Sequence, residues 1–104
     1  MQGILIPIDG TPIPVPLENG IADIESYAPG PMEVVHADEY VLFWAEVGLR
    51  RDVPVNRLAS LIAKEAIFGP VIVTGVSPSG MFLLPAPRDW LQHTASVKLS
   101  DVSP

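Results

Sequence analysis

Prolines at positions 12, 14 and 16 alternate with Ile13 and Val15, and this spacing constrains the fold more than any other feature of the chain. A proline has no backbone N–H to give to a ladder. A run that carries one at every second residue therefore belongs at the edge of a sheet, with its missing donors all on one side. The preceding run, residues 3–8, is rich in β-branched and apolar side chains, and Asp9-Gly10 suits the positive φ of a hairpin turn. Residues 1–17 are thus expected to form a hairpin whose second strand is an edge or a polyproline-like arm. Such an edge resists unwanted strand addition. Its functional alternative is an arm that docks on a second subunit.

The rest of the chain alternates short periodic segments with breakers. Leu17, Ile21, Ile24 and Ala28 have the spacing of a short amphipathic helix, although Gly20 lies inside it, and the A28-P-G-P31 sequence ends it. Two strands are expected over residues 32–37 and 39–46, with a tight turn at Ala37-Asp38. The second has an unbroken apolar centre, which implies a strand covered on both faces. After a charged loop over residues 47–54, Asn56 is a candidate N-cap for a helix with Leu58, Leu61, Ile62 and Glu65 on one face and a stop at Phe68-Gly69-Pro70. Residues 69–75 read as a strand, S77-P-S-G80 as a turn and residues 81–84 as the returning strand, ended by Pro85 and Pro87. Residues 88–94 make one or two helical turns that pack Trp90 and Leu91 back, and residues 95–104 read as a loose tail. With 104 residues, 48% of them hydrophobic and 17% charged, the chain has enough apolar content for one core. The expected fold is a single α+β domain: an antiparallel, hairpin-connected sheet with two short helices.

Several chemistries find no support. There is no cysteine, which removes disulfides, thiolate metal sites and cysteine nucleophiles. The two histidines, His36 and His93, lie far apart on different elements, and His36 reads as a strand residue on the wetter face. Asp38-Glu39 are adjacent and point apart when extended, which does not suit paired acid–base work. No nucleophile elbow, Walker loop or G-x-G-x-x-G is present. The expectation is a protein with no catalytic residues, no cofactor and no metal. No apolar run reaches the ~20 residues needed to span a bilayer, and no basic segment precedes the apolar start. A soluble, cytoplasmic protein without a membrane partner is expected.

The formal net charge of −6 argues against direct nucleic-acid binding. Its distribution is uneven: residues 1–47 hold eight acids and no Lys or Arg, whereas residues 48–104 hold six bases and four acids. Against that background Arg50, Arg51 and Arg57 cluster around Asn56. Asn56 at a helix start, with three guanidinium forks nearby, makes a candidate site for a small anionic ligand such as a nucleotide. The plainer reading is a capped helix with solvated arginines, some of them paired with Asp52 or Glu46. A second candidate surface is aromatic. Tyr40, Leu42 and Trp44 alternate onto one strand face, which becomes a protein interface if no helix covers it and favours a homo-oligomer, most simply a two-fold dimer.

The order E46-V-G-L-R-R-D-V-P-V-N-R-L-A-S60 followed by I67-F-G-P-V-I-V-T-G75 resembles a family of small uncharacterised domains of actinobacteria, firmicutes and their phages and mobile elements. That family shows an acid, a glycine-containing loop, Pro-x-Asn-x-x-Ala, and a hydrophobic strand opened by glycine. The resemblance covers residues 33–84, about half the chain. Trp44-Ala45 stand where the family commonly has an Asn before the acid. The resemblance implies a fold and a phage or mobile-element context, and no activity. The expected function is a non-enzymatic accessory protein, a small interaction module that binds and modulates a host protein. The alternatives are a small-anion binder using Arg50, Arg51, Asn56 and Arg57, and a DNA mimic using the acidic first half against a DNA-binding protein.

Overall fold

The computed structural model describes residues 1–9, 11–27, 32–46, 53–87, 89, 90 and 92. Its elements follow in the order β1 (Gln2–Ile6), β2 (Ile13–Pro16), α1 (Ile21–Tyr27), β3 (Glu33–Asp38), β4 (Val41–Glu46), α2 (Arg57–Ala63), β5 (Phe68–Val76) and β6 (Leu83–Leu84). The strands form one antiparallel sheet in the order β2-β1-β5-β4-β3, with β6 pairing onto β5 outside that path. This is an α+β domain built largely from hairpins. Among the described residues, no helix is long and apolar enough to cross a membrane.

The β-branched centre of β5 places it in the middle of the sheet. Residues 71–76 are all buried, as expected for a strand with cover on both faces. On one face, Ile4, Ile6, Val41, Phe43, Ala45, Val71 and Val73 pack under Leu58 and Ala59 of α2, together with Ile67 and Trp90. The Trp90 indole meets the Phe43 ring edge-on, with centroids 6.1 Å apart. On the other face Ile24 of α1 packs with Val15, Leu17 and Ile72, flanked by Leu5, Tyr27, Met32, Trp44 and Leu83. Gly3 leaves room beneath this second cluster: a Cβ there would lie 2.5 Å from Leu17 Cδ1 and 3.0 Å from the Val73 carbonyl oxygen, so a larger residue would displace the Leu17 side chain.

Two of the three alternate prolines, Pro14 and Pro16, lie on the edge strand β2, and Pro12 comes just before it. Leu17 N–H donates to the Met1 carbonyl at 2.7 Å, and Gly3 pairs with Val15 and Leu5 with Ile13. The odd-numbered residues of β2 thus turn their backbone groups towards β1. Pro14 and Pro16, at even positions, have their missing donors on the outer side.

Four boundaries differ from the expectation. Leu17 is not helical; it continues the hairpin, and Gly20 at φ +59 precedes a helix that begins at Ile21. Ile24 is buried while Ile21 is 51% exposed, so among the described residues of the helix Ile24 is the anchor, and Ala28 lies outside the described residues. The β3–β4 turn falls on Glu39 and Tyr40 rather than Ala37-Asp38, after a register shift between His36 and Asp38. Helix α2 ends at Lys64, which takes the left-handed conformation (φ 61) and returns its N–H to the Ser60 carbonyl. Gly69 (φ 72) instead lies inside β5, beside the register shift between Trp44 and Glu46 of β4. Finally, the returning strand is only Leu83–Leu84, so Met81 and Phe82 stay in the loop. Leu91, the Asp9-Gly10 turn at Gly10, and residues 95–104 lie outside the described residues in whole or part.

Asn56 joins these pieces. It is fully buried. Its Nδ2 donates to the carbonyls of Ile6 and Gly69, both at 2.9 Å. Its Oδ1 accepts the Ala59 N–H at 3.1 Å, the bond of an N-cap. Its own N–H donates to the Ile67 carbonyl, and its carbonyl accepts from Ser60 N–H. One side chain therefore closes the end of β1, the start of β5 and the first turn of α2.

Two outcomes follow from these contacts. Asn56→Ala is expected to cost about 2–4 kcal/mol, because it removes the cap and two buried hydrogen bonds to the carbonyls of Ile6 and Gly69. Asn56→Asp should lose at least as much at neutral pH, since its second oxygen faces those carbonyls, and recover part of the loss in acid; urea denaturation at both pH values reads this. At α1, the backbone N–H of Asn19 donates to the Asp23 carboxylate at 2.9 Å and holds its pKa below the ordinary value of 3.8. A lowered folded pKa contributes stability above the unfolded value and loses it as pH falls through the folded one. Asp23→Ala should therefore lower the melting temperature at neutral pH and match wild type in strong acid.

Candidate functional site

Because α1 anchors over β1, β2 and β5, the same face of β3 and β4 is left partly open. A groove of about 380 Å³ lies there. Its floor is Leu42 and Trp44 of β4 with Val34 and His36 of β3. One wall is the β5–β6 loop through Gly80, Met81, Phe82 and Leu83, closed by Val76, and Ile21 at the start of α1 stands at the margin. The lining is apolar apart from one imidazole. Trp44 is half-buried, and its indole Nε1 donates to Thr74 Oγ1 at 2.9 Å, so its only polar group points into the sheet.

The apolar wall is held outwards by its own hydrogen bonds. Ser77 N–H donates to the Phe82 carbonyl at 2.9 Å, and Phe82 N–H returns to Ser77 Oγ at 3.1 Å. The Ser77 and Ser79 hydroxyls are 3.0 Å apart, Ser79 Oγ accepts from Met81 N–H, and Gly80 closes the turn at φ +75 with its N–H on the Ser77 carbonyl. Met81 is nonetheless 77% exposed and Phe82 66% exposed. With Val34 and Ile21, also exposed, they form an apolar rim around the groove.

Of the residues singled out from the sequence, those described do not converge on one site. Asn56 is internal, and both amide hydrogens and its oxygen are spent on the chain itself. Arg57 is exposed on the first turn of α2. Arg50 and Arg51 lie outside the described residues. Tyr40 sits in the β3–β4 turn, 46% exposed, off the strand that carries Leu42 and Trp44. The two aromatics thus do not share one strand face, and Trp44 is part of the groove floor. His36 is exposed on the groove side of β3, the wetter face expected of it; His93 lies outside the described residues. Among the described residues no group of His, Cys, Asp and Glu is arranged to hold a metal ion.

Met81 and Phe82 are what sequence reasoning missed. The apolar run after S77-P-S-G80 reads as a returning hairpin strand that includes them, and nothing in residues 81–84 shows that pairing begins only at Leu83. A large apolar pair directly after a serine-rich turn is the one available signal.

Comparison with protein-family models, curated proteins and solved structures finds no match to this chain. The groove therefore carries the functional reading by its chemistry alone. It has no paired acid and base, and it offers apolar walls around one imidazole, an arrangement suited to holding a partner's apolar side chains.

The loop's order can be tested directly. Ser77→Ala removes the acceptor for Phe82 N–H and the Ser79 contact, and is expected to cost about 0.5–1.5 kcal/mol. Hydrogen exchange at the Phe82 amide should accelerate, while the amides of Val71 and Val73 stay protected.

Proposed function

We propose that the protein is a non-enzymatic interaction module of phage or mobile-element origin that binds and modulates a host protein in the cytoplasm. The partner is held at the groove between the β3–β4 floor and the β5–β6 loop. The observation that carries this reading is the exposed pair Met81 and Phe82, kept in place by the Ser77 and Ser79 hydrogen bonds beside an apolar floor. A loop that is ordered before binding loses little conformational entropy on binding, and aromatic and methionine side chains are the usual anchors of protein interfaces. The motif order around Pro54, Asn56 and Gly69 supports the phage or mobile-element origin by resemblance. A small-anion binder would rest on arginines alone, because the amide of Asn56 is occupied by Ile6 and Gly69.

The test is capture from a bacterial host lysate by wild type and by the Met81→Ser/Phe82→Ser double variant. Both side chains are solvent-exposed, so the double variant should melt as wild type does. It is expected to retain the captured protein about tenfold less well, as removal of an interface anchor does. Equal retention by the two proteins, or no protein above background with wild type, would overturn the reading.

A further inference from the structure

The two ends of the sheet are not alike. At β2, Pro14 and Pro16 remove the outward donors. At β3 no proline is present, and the direction of every backbone group can be read from the register. Val76 N–H donates to the Tyr40 carbonyl at 3.0 Å, and Leu42 pairs with Thr74 and Trp44 with Ile72. Residues 40, 42 and 44 therefore bond towards β5, and residues 41, 43 and 45 towards β3. Since Val35 pairs with Phe43 and Glu33 with Ala45, it is Glu33 and Val35 that bond inwards. Val34 and His36 turn their N–H and C=O groups out, and no described strand pairs with them. The side chains of these same two residues line the groove.

We infer that β3 is a strand-addition site: an extended, basic segment of the partner protein pairs with the outward backbone groups of Val34 and His36. This rests on the groove being the docking surface. Strand addition gives affinity through main-chain bonds and selectivity through alternate side chains. On the groove side, apolar side chains of the added strand lie beside Val34 and His36. On the opposite side the alternate, basic side chains of that strand meet Glu33 and Asp38, which follow the faces of their neighbours Ala45 and Val41. Both acids are exposed, as is Glu39 in the turn. Residues 32–40 contain three acids and no Lys or Arg, so the fitting sequence alternates apolar residues with Lys or Arg. A second copy fits less well, because two β3 edges would bring Glu33, Asp38 and Glu39 of each strand against the same acids of the other.

Val34→Pro isolates the edge. The N–H it removes makes no ladder bond within the sheet, the same situation as Pro14 and Pro16, so the variant should fold with an unchanged β-sheet circular dichroism spectrum. The probes are a peptide of about eight residues alternating Val and Lys, its Val/Glu counterpart, and a Val/Lys peptide N-methylated at every second residue to remove its donors. The expected result is that the Val/Lys peptide alone slows hydrogen exchange at the Val34 and His36 amides about tenfold or more, by a salt-sensitive interaction absent from Val34→Pro. Glu33→Lys/Asp38→Lys should transfer the preference to the Val/Glu peptide.

Equal binding of all three peptides, or binding that survives in Val34→Pro, would overturn the inference. So would Val34 and His36 amides already protected in the free monomer, which would place a segment of this chain on the edge. A concentration-dependent dimer that Val34→Pro dissolves would make a second copy the occupant and overturn it as well. In the lysate experiment, a partner lost by Met81→Ser/Phe82→Ser but kept by Val34→Pro would leave the groove as docking surface and remove strand addition alone.

Discussion

Three parts of this fold that are distant in sequence meet at one carboxamide. Asn56 reaches the carbonyl of Ile6 at the end of β1, that of Gly69 near the start of β5, and the N–H of Ala59 in α2. The Ala59 N–H is one of the helix-start donors that only a cap can satisfy, and the two carbonyls gain a buried donor from the same amide. Asparagine alone among the small side chains offers two donors and an acceptor in one plane. Aspartate can cap the helix and cannot serve the carbonyls; serine can cap and cannot reach both. The packing of α2 against Ile6, Val71 and Phe43 therefore depends on a polar bond set at the base of an apolar layer. Ser60 repeats the device one turn later, where its hydroxyl both accepts from and donates to the backbone of Ile67.

The groove is a consequence of unequal cover. Helix α1 has seven residues and is about 10 Å long, whereas a sheet five strands wide spans about 19 Å. It cannot shield that face from β2 to β3. Its one buried residue, Ile24, sits with Val15, Leu17 and Ile72, so the exposed remainder falls over β4 and β3. There the chain has placed Leu42 and a Trp44 whose indole nitrogen is already bonded to Thr74. An apolar floor is left beside the solvent, and the β5–β6 loop stands along it instead of closing it.

Much of the architecture was legible because it rests on local, period-two or capping signals. The alternate prolines define β2, the apolar run defines β4, and Asn56 with Leu58 defines the start of α2. The boundaries that moved did so for tertiary reasons. Leu17 fits a helical stripe equally well as a strand end, and its pairing with Met1 over the space left by Gly3 appears only in the folded hairpin. Lys64 adopts a left-handed conformation that sequence assigns to glycine, which frees Gly69 for a register shift within β5. The site was less legible. Asn56 and the arginines attract notice by type, yet Asn56 proves to be internal. Met81 and Phe82 became exposed through the shortness of β6, a pairing outcome that no local pattern encodes. The outward direction of Val34 and His36 is a property of register, and register appears only when β4 and β5 are aligned.

The prolines of β2 bear on more than that edge. A sheet with two open ends can add copies of itself without limit, each new strand exposing another. Here the far end cannot accept a strand in the same way, because Pro14 and Pro16 leave gaps in its outward row of donors. Two copies joined through their β3 edges would present only β2 edges with gaps in the donor row, so strand pairing between copies of this chain would stop at two rather than run on into a fibre.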